Sequence, residues 1–218
     1  LAGSDVLVLP RVANLVDGRW ERETLKEMMS DDVARRCVVR RLVERVVALD
    51  ADGLNVDLEA LSPDDSEAYL EFLVDLRTAL HAEDLRLTVD VSIHDPAYDL
   101  EYVGNVADAV LVMAYDQHFP SSAPGPIASR TWFAEAVEEA RVRIPADRLV
   151  VALGSYCYDW RPGSGQPVEA LPFGDAMARA SAAGAHPELV REVENTRFAY
   201  RDAGGQLHDV FCLDALSV

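Results

Sequence analysis

One segment of the chain alternates strictly between aliphatic side chains and acidic or amide side chains, which limits the folds that it can adopt. Residues 52–59 read Asp-Gly-Leu-Asn-Val-Asp-Leu-Glu. This alternation predicts a β-strand, because successive side chains of a strand point to opposite faces. One face is aliphatic, and the other carries Asn55, Asp57 and Glu59. In a closed parallel barrel, outer helices cover the aliphatic face, so the polar face would line the lumen.

The polar face of this strand has two interpretations. Carboxylates crowded in a barrel lumen repel each other and lose solvation, so at least one pKa should rise. Such a shift is typical of an acid–base site. The alternative is a solvent-exposed antiparallel strand with a chance run of acids, since 38 of the 218 residues are Asp or Glu. Asp and Glu are poor strand formers, which favours the first interpretation.

The charge and hydropathy of the chain restrict its partners. The net charge is −18 at pH 7, and Lys26 is the only lysine. Such an acidic surface argues against nucleic acid or an anionic membrane as a partner and suits a neutral substrate. No apolar run approaches the ~18 residues that a membrane span needs. The chain starts with Leu rather than Met and shows no secretion signal, so we expect a processed or excised piece of a longer protein.

The cysteines and histidines form no metal-binding pattern. Cys37, Cys157 and Cys212 are widely spaced and odd in number, so we expect buried free thiols rather than a disulfide framework or a zinc site. The histidines have no ligand-like spacing, and His208 is expected in a loop or turn. No phosphate-binding loop, dinucleotide fingerprint or Gly-x-Ser-x-Gly elbow is present. The sequence therefore predicts neither a metal nor a cofactor.

Predicted strands and helices alternate along the first 160 residues, which indicates a parallel βα architecture. A buried strand is predicted at 6–9, further strands at 54–58, 85–93, 109–115 and 149–155, and helices at 23–29, 31–49, 62–80 and 131–143, with a short helical or irregular stretch at 98–105. Ser30 or Asp31 would cap the helix at 31–49, and the helix at 62–80 carries an apolar stripe. The later residues predict a helix at 173–183 and a β-hairpin around the turn at 202–205. Five strands are fewer than the eight of a (β/α)8 barrel. We therefore expect a partial barrel over 1–160 and an α+β insertion over 161–218.

Polar and aromatic side chains follow two more of the predicted strands. Tyr115, Asp116 and Gln117 come at the end of one, and Tyr156 and Trp160 follow the next. The carboxyl ends of the strands are the catalytic end of a parallel barrel. There a tyrosine can donate a hydrogen bond, a carboxylate can accept one and aromatic faces can stack on sugar rings. A polar loop and core packing remain the alternative explanations.

Taken together, these motifs resemble glycoside hydrolase family 18. The segment 52–59 is similar to the family signature Asp-Gly-x-Asp/Asn-x-Asp-x-Glu on the fourth barrel strand, and 113–116 to its Met-x-Tyr-Asp element on the sixth. Residues 154–160 resemble the seventh-strand segment, and 197–214 the insertion that follows. The resemblance covers nearly the whole chain. It implies an α/β fold, the (β/α)8 TIM barrel, present here as about strands three to seven.

A narrower resemblance concerns Gln117-His118 and residues 125–129. They are most similar to a bacterial branch with spore-lytic N-acetylglucosaminidases and with multidomain proteins that contain a polysaccharide deacetylase and a glycosyltransferase. This implies an N-acetylglucosamine-containing glycan as the partner, such as chitin, peptidoglycan or an exopolysaccharide. It also implies an extracellular or cell-envelope location, and fusion to deacetylase and glycosyltransferase domains in the full gene.

The resemblance also implies a mechanism. Family members hydrolyse β-1,4 bonds next to N-acetylglucosamine with retention and with help from the substrate, without a metal or cofactor. Glu59 would be the acid and base, and Asp57 would orient the substrate's acetamido group. Asn55 stands where Asp is commoner, which weakens the proton relay to Asp57. Tyr115 would hydrogen-bond the acetamido carbonyl. The implied substrate-binding residues are Asp116, Gln117, Tyr156 and Trp160.

Two functions without catalysis also fit a chain of this kind. One is a lectin-like sugar-binding protein on the same fold, and the intact Glu59 argues against it. The other is a scaffold domain in a larger envelope protein. The missing strands allow that second function, because a fold does not establish an activity.

Overall fold

The computed structural model describes residues 6–214. The chain groups into two compact units. The first contains the residues up to Met113 together with Glu139–Val151, and the second contains Ala114–Glu138 and the residues from Ala152 onward. The division into domains at residue 160 stays a prediction.

The main sheet of the first unit is built from parallel strands, as the alternation of strands and helices predicts. The strands are, in chain order, β1 (Arg11–Ala13), β2 (Leu15–Val16), β3 (Arg19–Trp20), β4 (Gly53–Asp57), β5 (Arg86–Ser92), β6 (Ala109–Met113) and β7 (Leu149–Ala152). Five of them form one sheet in the order β1-β4-β5-β6-β7, and the pairs β1–β4, β4–β5 and β5–β6 are parallel. Strands β2 and β3 form a separate short hairpin.

The helices begin and end close to the predicted residues. They are α1 (Arg22–Ser30), α2 (Asp32–Ala48), α3 (Ser66–His81) after a 3-10 turn at Pro63–Asp65, α4 (Leu100–Val106) and α5 (Arg130–Arg143). Of the two predicted cap candidates, it is Asp31 that caps α2, by accepting hydrogen bonds from the backbone N–H groups of Val33 and Ala34. Helix α3 packs on α2 and β5. Its predicted apolar stripe is buried, namely Tyr69, Phe72, Leu73, Leu76 and Leu80.

The predicted strand at 6–9 is wrong, because the first strand is β1, which begins after Pro10. The backbone N–H of Val8 donates to the side chain of Asp52 at 2.7 Å, and proline has no N–H to donate. The carbonyls of Val8 and Pro10 accept from the N–H groups of Asp52 and Asn55, but neither residue donates to that backbone, so the segment is not a regular strand. Its aliphatic side chains at 6–8 are 40–65% exposed, not buried as predicted.

The second unit contains an antiparallel sheet. Its elements are β8 (Cys157–Trp160), β9 (Glu169–Leu171), α6 (Phe173–Ala183), β10 (Glu188–Val190), β11 (Asn195–Arg201) and β12 (Leu207–Cys212), and the strand order is β10-β11-β12-β8-β9. The predicted hairpin is β11–β12. In its turn, Asp202 Oδ1 accepts from the N–H groups of Gly204 and Gln206 at 2.9 Å. The aromatic segment expected at the end of β7 is instead a separate strand, β8.

His208 lies on β12 and not in a loop or turn, because β12 begins at Leu207. The imidazole is buried and stacks on the ring of Tyr200, with centroids 4.4 Å apart. Its Nδ1 is 2.7 Å from Asp159 Oδ1, while the Tyr200 hydroxyl and Arg179 donate to Asp159 Oδ2 at 2.9 and 3.1 Å. These contacts satisfy a fully buried carboxylate within the antiparallel sheet.

The expectation of buried free thiols is wrong for two of the three cysteines. Cys157 and Cys212 form a disulfide between β8 and β12, and Cys37 is free but only partly buried. The two residues are directly opposite each other in the antiparallel register, with Cα atoms 4.0 Å apart. They are 55 residues apart in the sequence, so only the strand pairing reveals the partnership.

Replacing both disulfide cysteines by alanine should destabilise the second unit. The bond restricts a 55-residue stretch of the unfolded chain, and we expect the free energy of unfolding to fall by about 2–4 kcal/mol. Urea unfolding of Cys157→Ala/Cys212→Ala against the wild type measures this. Cys37→Ala is the control and should unfold like the wild type. Equal free energies for the double variant and the wild type would contradict the prediction.

Candidate active site

Strand β4 carries the predicted carboxylates between two parallel neighbours. Gly53 allows β5 to come close, because a Cβ there would lie only 2.2 Å from the backbone oxygen of Arg86. The aliphatic side chains of 54, 56 and 58 are buried, as the alternation predicts. On the opposite face, Asn55 is half-buried, Asp57 is 2% exposed and Glu59 is partly exposed. This face is therefore not the solvent-exposed face of an ordinary strand.

Asp57 forms an ion pair with Arg11 of β1. The register aligns Arg11 with Asn55, and the guanidinium Nη1 donates to Asp57 Oδ2. The Asp57 side chain is 3% exposed, and its Oδ1 has no hydrogen-bond partner among the described residues. Burial raises the pKa of Asp57, and the charge of Arg11 opposes that rise. The upward pKa shift expected for this strand is confirmed here.

Asn55 connects β4 to β5 through its side-chain amide. The Thr88 hydroxyl donates to Asn55 Oδ1 at 2.6 Å, and Asn55 Nδ2 donates to Asp90 Oδ2 at 3.0 Å. Burial raises the pKa of Asp90, the hydrogen bond from Asn55 opposes the rise, and the nearby charge of Asp57 adds to it. Sequence analysis missed Thr88 and Asp90. Their signal is the alternation of polar and buried aliphatic residues along β5, which matches that of β4.

The backbone of Glu59 is held by a residue from the end of β1. The Glu59 N–H donates to Asn14 Oδ1, and Asn14 Nδ2 donates to the Glu59 carbonyl, both at 2.9 Å. The preceding carbonyl, of Leu58, accepts from the Tyr98 hydroxyl at 2.7 Å. The Asn14 carbonyl also accepts from the Glu21 N–H and so closes the β2–β3 hairpin. Asn14 has no periodic sequence signal, which explains why it was missed.

In the second unit, Asp116 accepts hydrogen bonds from two tyrosines of the segment that follows β7. The hydroxyl of Tyr156 donates to one carboxylate oxygen, and that of Tyr158 donates to the other at 3.3 Å. Burial raises the pKa of Asp116, and the two tyrosine hydrogen bonds oppose the rise. Asp116 has a positive φ of 62°, a conformation that Asp tolerates better than most residues.

A row of edge-to-face aromatic contacts runs through the second unit. It joins Tyr115, Tyr156, Tyr158, Trp160 and Phe211, with consecutive ring centroids 6.1, 5.1, 5.3 and 6.2 Å apart. Such pairs stabilise a cluster beyond the burial of their area. Trp160 is 3% exposed and is packed between two of these rings.

Gln117 orders the loop that follows it. Its N–H donates to the Ile127 carbonyl, and its Oε1 accepts from the Ser129 N–H, both at 2.8 Å. The side-chain carbonyl is therefore used within the protein. Contact of Gln117 with a substrate stays a prediction.

The predicted site residues fall into two groups by unit. Asn55, Asp57 and Glu59 lie together on and just after β4 in the first unit. The second unit holds the other group, which is Tyr115, Asp116, Gln117, Tyr156 and Trp160. Within residues 6–214, no three His, Cys, Asp or Glu side chains are arranged to hold a metal ion. No helix in this range has the length and apolar character needed to cross a bilayer.

The arrangement on β4 can separate two chemical roles. Asp57 is a buried carboxyl whose charge is stabilised by Arg11, and Glu59 is a partly exposed carboxyl on a fixed backbone. A buried anion can stabilise a developing positive charge, and an exposed carboxyl can exchange protons with a substrate or water.

Comparison with known proteins gives a family match over most of the chain. The family described as "Glycosyl hydrolases family 18" matches residues 12–206. A Bacillus subtilis (strain 168) protein described as a sporulation-specific glycosylase, YdhD, is 28% identical over 224 residues, which cover 98% of this chain and 53% of that protein. The cortical fragment-lytic enzyme of the same organism is 24% identical over 219 residues, which cover 95% and 51%. The chain thus spans about half the length of these two relatives.

Solved structures give the same family and the fold. The crystal structure of YdhD matches with a TM-score of 0.91 at 27% identity and covers 97% of this chain and 73% of that one. A chitinase from Chromobacterium violaceum ATCC 12472 matches with a TM-score of 0.85 at 29% identity and covers 95% and 67%. With the five-stranded sheet, these matches confirm the predicted α/β fold, a partial barrel of the TIM type.

Asp116→Asn should make stability less dependent on pH. Because the folded-state pKa of Asp116 is raised, its contribution is fully present below the ordinary pKa of Asp and is lost as pH rises through the folded pKa. Above pH about 4, the wild type should therefore lose stability relative to the variant, which keeps an acceptor oxygen but does not titrate.

Urea unfolding of Asp116→Asn and the wild type between pH 4 and 7 measures this difference. The exposed Asp84 provides a matched control, because Asp84→Asn makes the same chemical change without removing a buried carboxyl. The prediction would be contradicted if the difference in free energy of unfolding between Asp116→Asn and the wild type stayed constant with pH. It would also be contradicted if the wild type became the more stable of the two as pH rises.

Proposed function

The chain belongs to glycosyl hydrolase family 18, and from this premise we propose that it is a glycosidase that cleaves β-1,4 bonds next to N-acetylglucosamine. The observation that carries the proposal is the division of roles on β4. Asp57 is buried and paired with Arg11, whereas Glu59, two residues later, is partly exposed on a backbone that Asn14 fixes.

Glu59 is proposed as the general acid. Its proton would pass to the glycosidic oxygen as the bond to the anomeric carbon breaks, and the resulting carboxylate would later take a proton from the attacking water. Efficient transfer requires a carboxyl held in position. The two hydrogen bonds between Asn14 and the Glu59 backbone, and the one from Tyr98 to the preceding carbonyl, restrict the backbone that carries Glu59.

The nucleophile is proposed to be the acetamido oxygen of the substrate. Its attack on the anomeric carbon would form a cyclic oxazolinium ion, and water would open the ring with net retention. Asp57 would accept the acetamido N–H and stabilise the positive charge of the ion. An anionic Asp57 suits this role, and its ion pair with Arg11 favours the anion. Asn55 would hold the neighbouring polar groups in place.

The second group of residues keeps the roles that the family resemblance implies, as proposals. Tyr115 is proposed to hydrogen-bond the acetamido carbonyl, and Asp116 to hold the sugar or to tune the acid. The proposed additional substrate-binding residues are Gln117, Tyr156 and Trp160.

The proposed substrate is a cell-envelope glycan that contains N-acetylglucosamine. Relatives described as a sporulation-specific glycosylase, a cortical fragment-lytic enzyme and a chitinase support this class. An extracellular or cell-envelope location follows from such a substrate. Fusion to polysaccharide deacetylase and glycosyltransferase domains also stays a proposal.

One assay separates this function from the two non-catalytic alternatives. The full-length protein is incubated with N-acetylglucosamine oligomers, and both product formation and binding are measured. Turnover supports the glycosidase. Binding without turnover would support a lectin-like protein, and neither binding nor turnover would support a scaffold domain.

Glu59→Gln should abolish hydrolysis and leave oligomer binding largely intact. The change is nearly isosteric but removes the transferable proton, and general acid catalysis contributes ~10²–10⁴-fold to rate. Steady-state kinetics and calorimetric binding on the full-length protein test this. The control is Glu83→Gln, at an exposed position, and it should behave like the wild type. If Glu59→Gln kept more than about a tenth of the wild-type kcat, Glu59 would not be the acid.

Removing the acetyl groups of the substrate should stop turnover. Deacetylated oligomers keep the glycosidic bonds but lack the acetamido oxygen that would attack. We expect them to bind without being hydrolysed, while acetylated oligomers of the same length are cleaved. Equal rates on the two substrates would rule out the substrate-assisted mechanism.

A further inference from the structure

Asp57 and Asp90 form a pair of buried carboxyls with incomplete hydrogen bonding. Arg11 donates to Asp57 Oδ2, and Asn55 donates to Asp90 Oδ2. The Oδ1 atom of each carboxyl is buried and has no hydrogen-bond partner among the described residues. An ionised carboxylate with an unsatisfied buried oxygen is unfavourable, and two such groups near each other are more so.

The strand register brings the two carboxyls to the same level of the sheet. Asn55 of β4 is paired with Thr88 of β5, and Asp57 and Asp90 each lie two residues further on. Residues two apart in a strand share a face. The hydrogen bond between Asn55 and Asp90 shows that these faces of β4 and β5 meet. The negative charge of Asp57 acts on Asp90 accordingly.

Among the described neighbours of Asp90, Arg11 supplies the positive charge. On the β6 side, Asp90 is aligned with the aliphatic Leu111. The hydroxyls of Tyr69 and Tyr98 are influenced by both carboxyls, and burial is the main cause of the raised pKa of each tyrosine. They are therefore neutral groups. The set consists of two carboxyls, one guanidinium and neutral hydroxyls and amides.

We propose that Asp90 is a positioning residue of this site that holds one proton, so that the pair carries a single negative charge on Asp57. The ion pair with Arg11 stabilises the charge on Asp57, whereas Asp90 accepts from a neutral amide. A neutral Asp90 relieves the repulsion and keeps Asp57 anionic for the acetamido N–H. Asp90 would thus take the place of the carboxyl that is commoner in the family at the position of Asn55.

Only the catalytic consequence of this proposal rests on the proposed function. The position of the proton is a property of the folded chain and can be measured without a substrate. If no glycan is hydrolysed, the proposed function fails while the result on the proton stands.

The direct test is a carboxyl-carbon NMR titration of the full chain labelled at aspartate. In the wild type, we expect one buried carboxyl to stay protonated to clearly higher pH than the other. In Asp90→Asn, the titration at high pH should disappear. Asp57 should titrate close to its wild-type pH, because in the wild type it ionises beside an Asp90 that is still neutral. The matched control Asp84→Asn should leave both titrations unchanged.

Two further variants keep the test decisive if Asp90→Asn does not fold. Arg11→Gln leaves both carboxyls in place and should raise the pH at which Asp57 titrates. The double variant Asn55→Asp/Asp90→Asn moves the carboxyl back to β4 and should restore a high-pKa carboxyl. In activity assays, Asp90→Asn should lose about ten- to a hundred-fold in kcat, with a shifted acidic limb of the pH profile. The double variant should recover part of that loss.

Three results would overturn the proposal. The first is a wild-type spectrum in which both carboxyls titrate at the ordinary pKa of Asp. The second is a buried carboxyl that still titrates at the higher pH in Asp90→Asn, because the proton would then reside on another group. The third is an Asp57 titration that Arg11→Gln does not move.

Discussion

The ion pair between Arg11 and Asp57 is the interaction on which the polar face of the first sheet depends. Moving a carboxylate into a protein interior costs several kcal/mol of desolvation free energy, about as much as the attraction of a well-placed cation contributes. Arg11 meets part of this requirement, because β1 runs parallel to β4 in a register that aligns it with Asn55. Burial still raises the pKa of Asp57. The rest of the face, including the amide link from Asn55 to Asp90, is arranged around that pair.

Features with a local pattern could be predicted from the sequence. The apolar stripe of α3, the Asp31 cap of α2 and the β11–β12 hairpin follow from periodicity, capping and turn chemistry. The strand predicted at 6–9 followed from the same kind of reasoning and was wrong. There the composition is that of a strand, but a proline and a hydrogen bond from Val8 to the side chain of Asp52 interrupt the ladder.

The candidate site likewise contains residues that a local sequence pattern predicts and residues that it does not. Asn55, Asp57 and Glu59 could be predicted because they alternate along one strand. Their partners could not, since Arg11, Asn14 and Asp90 reach them from other segments, and only strand register determines which side chains meet. The link between Cys157 and Cys212 was missed for this reason as well. A single sequence does not show which side chains of distant segments contact each other.

The bond between Cys157 and Cys212 also bears on how the protein matures. Disulfides form and persist in oxidising compartments and are rare where glutathione and thioredoxin keep thiols reduced. The antiparallel sheet therefore reaches its final covalent form only after the chain meets an oxidant. Material prepared in a reducing cytosol would contain the dithiol, with β8 and β12 joined by hydrogen bonds and side-chain packing but not by a covalent bond. Oxidation is in this sense a step in the assembly of the sheet.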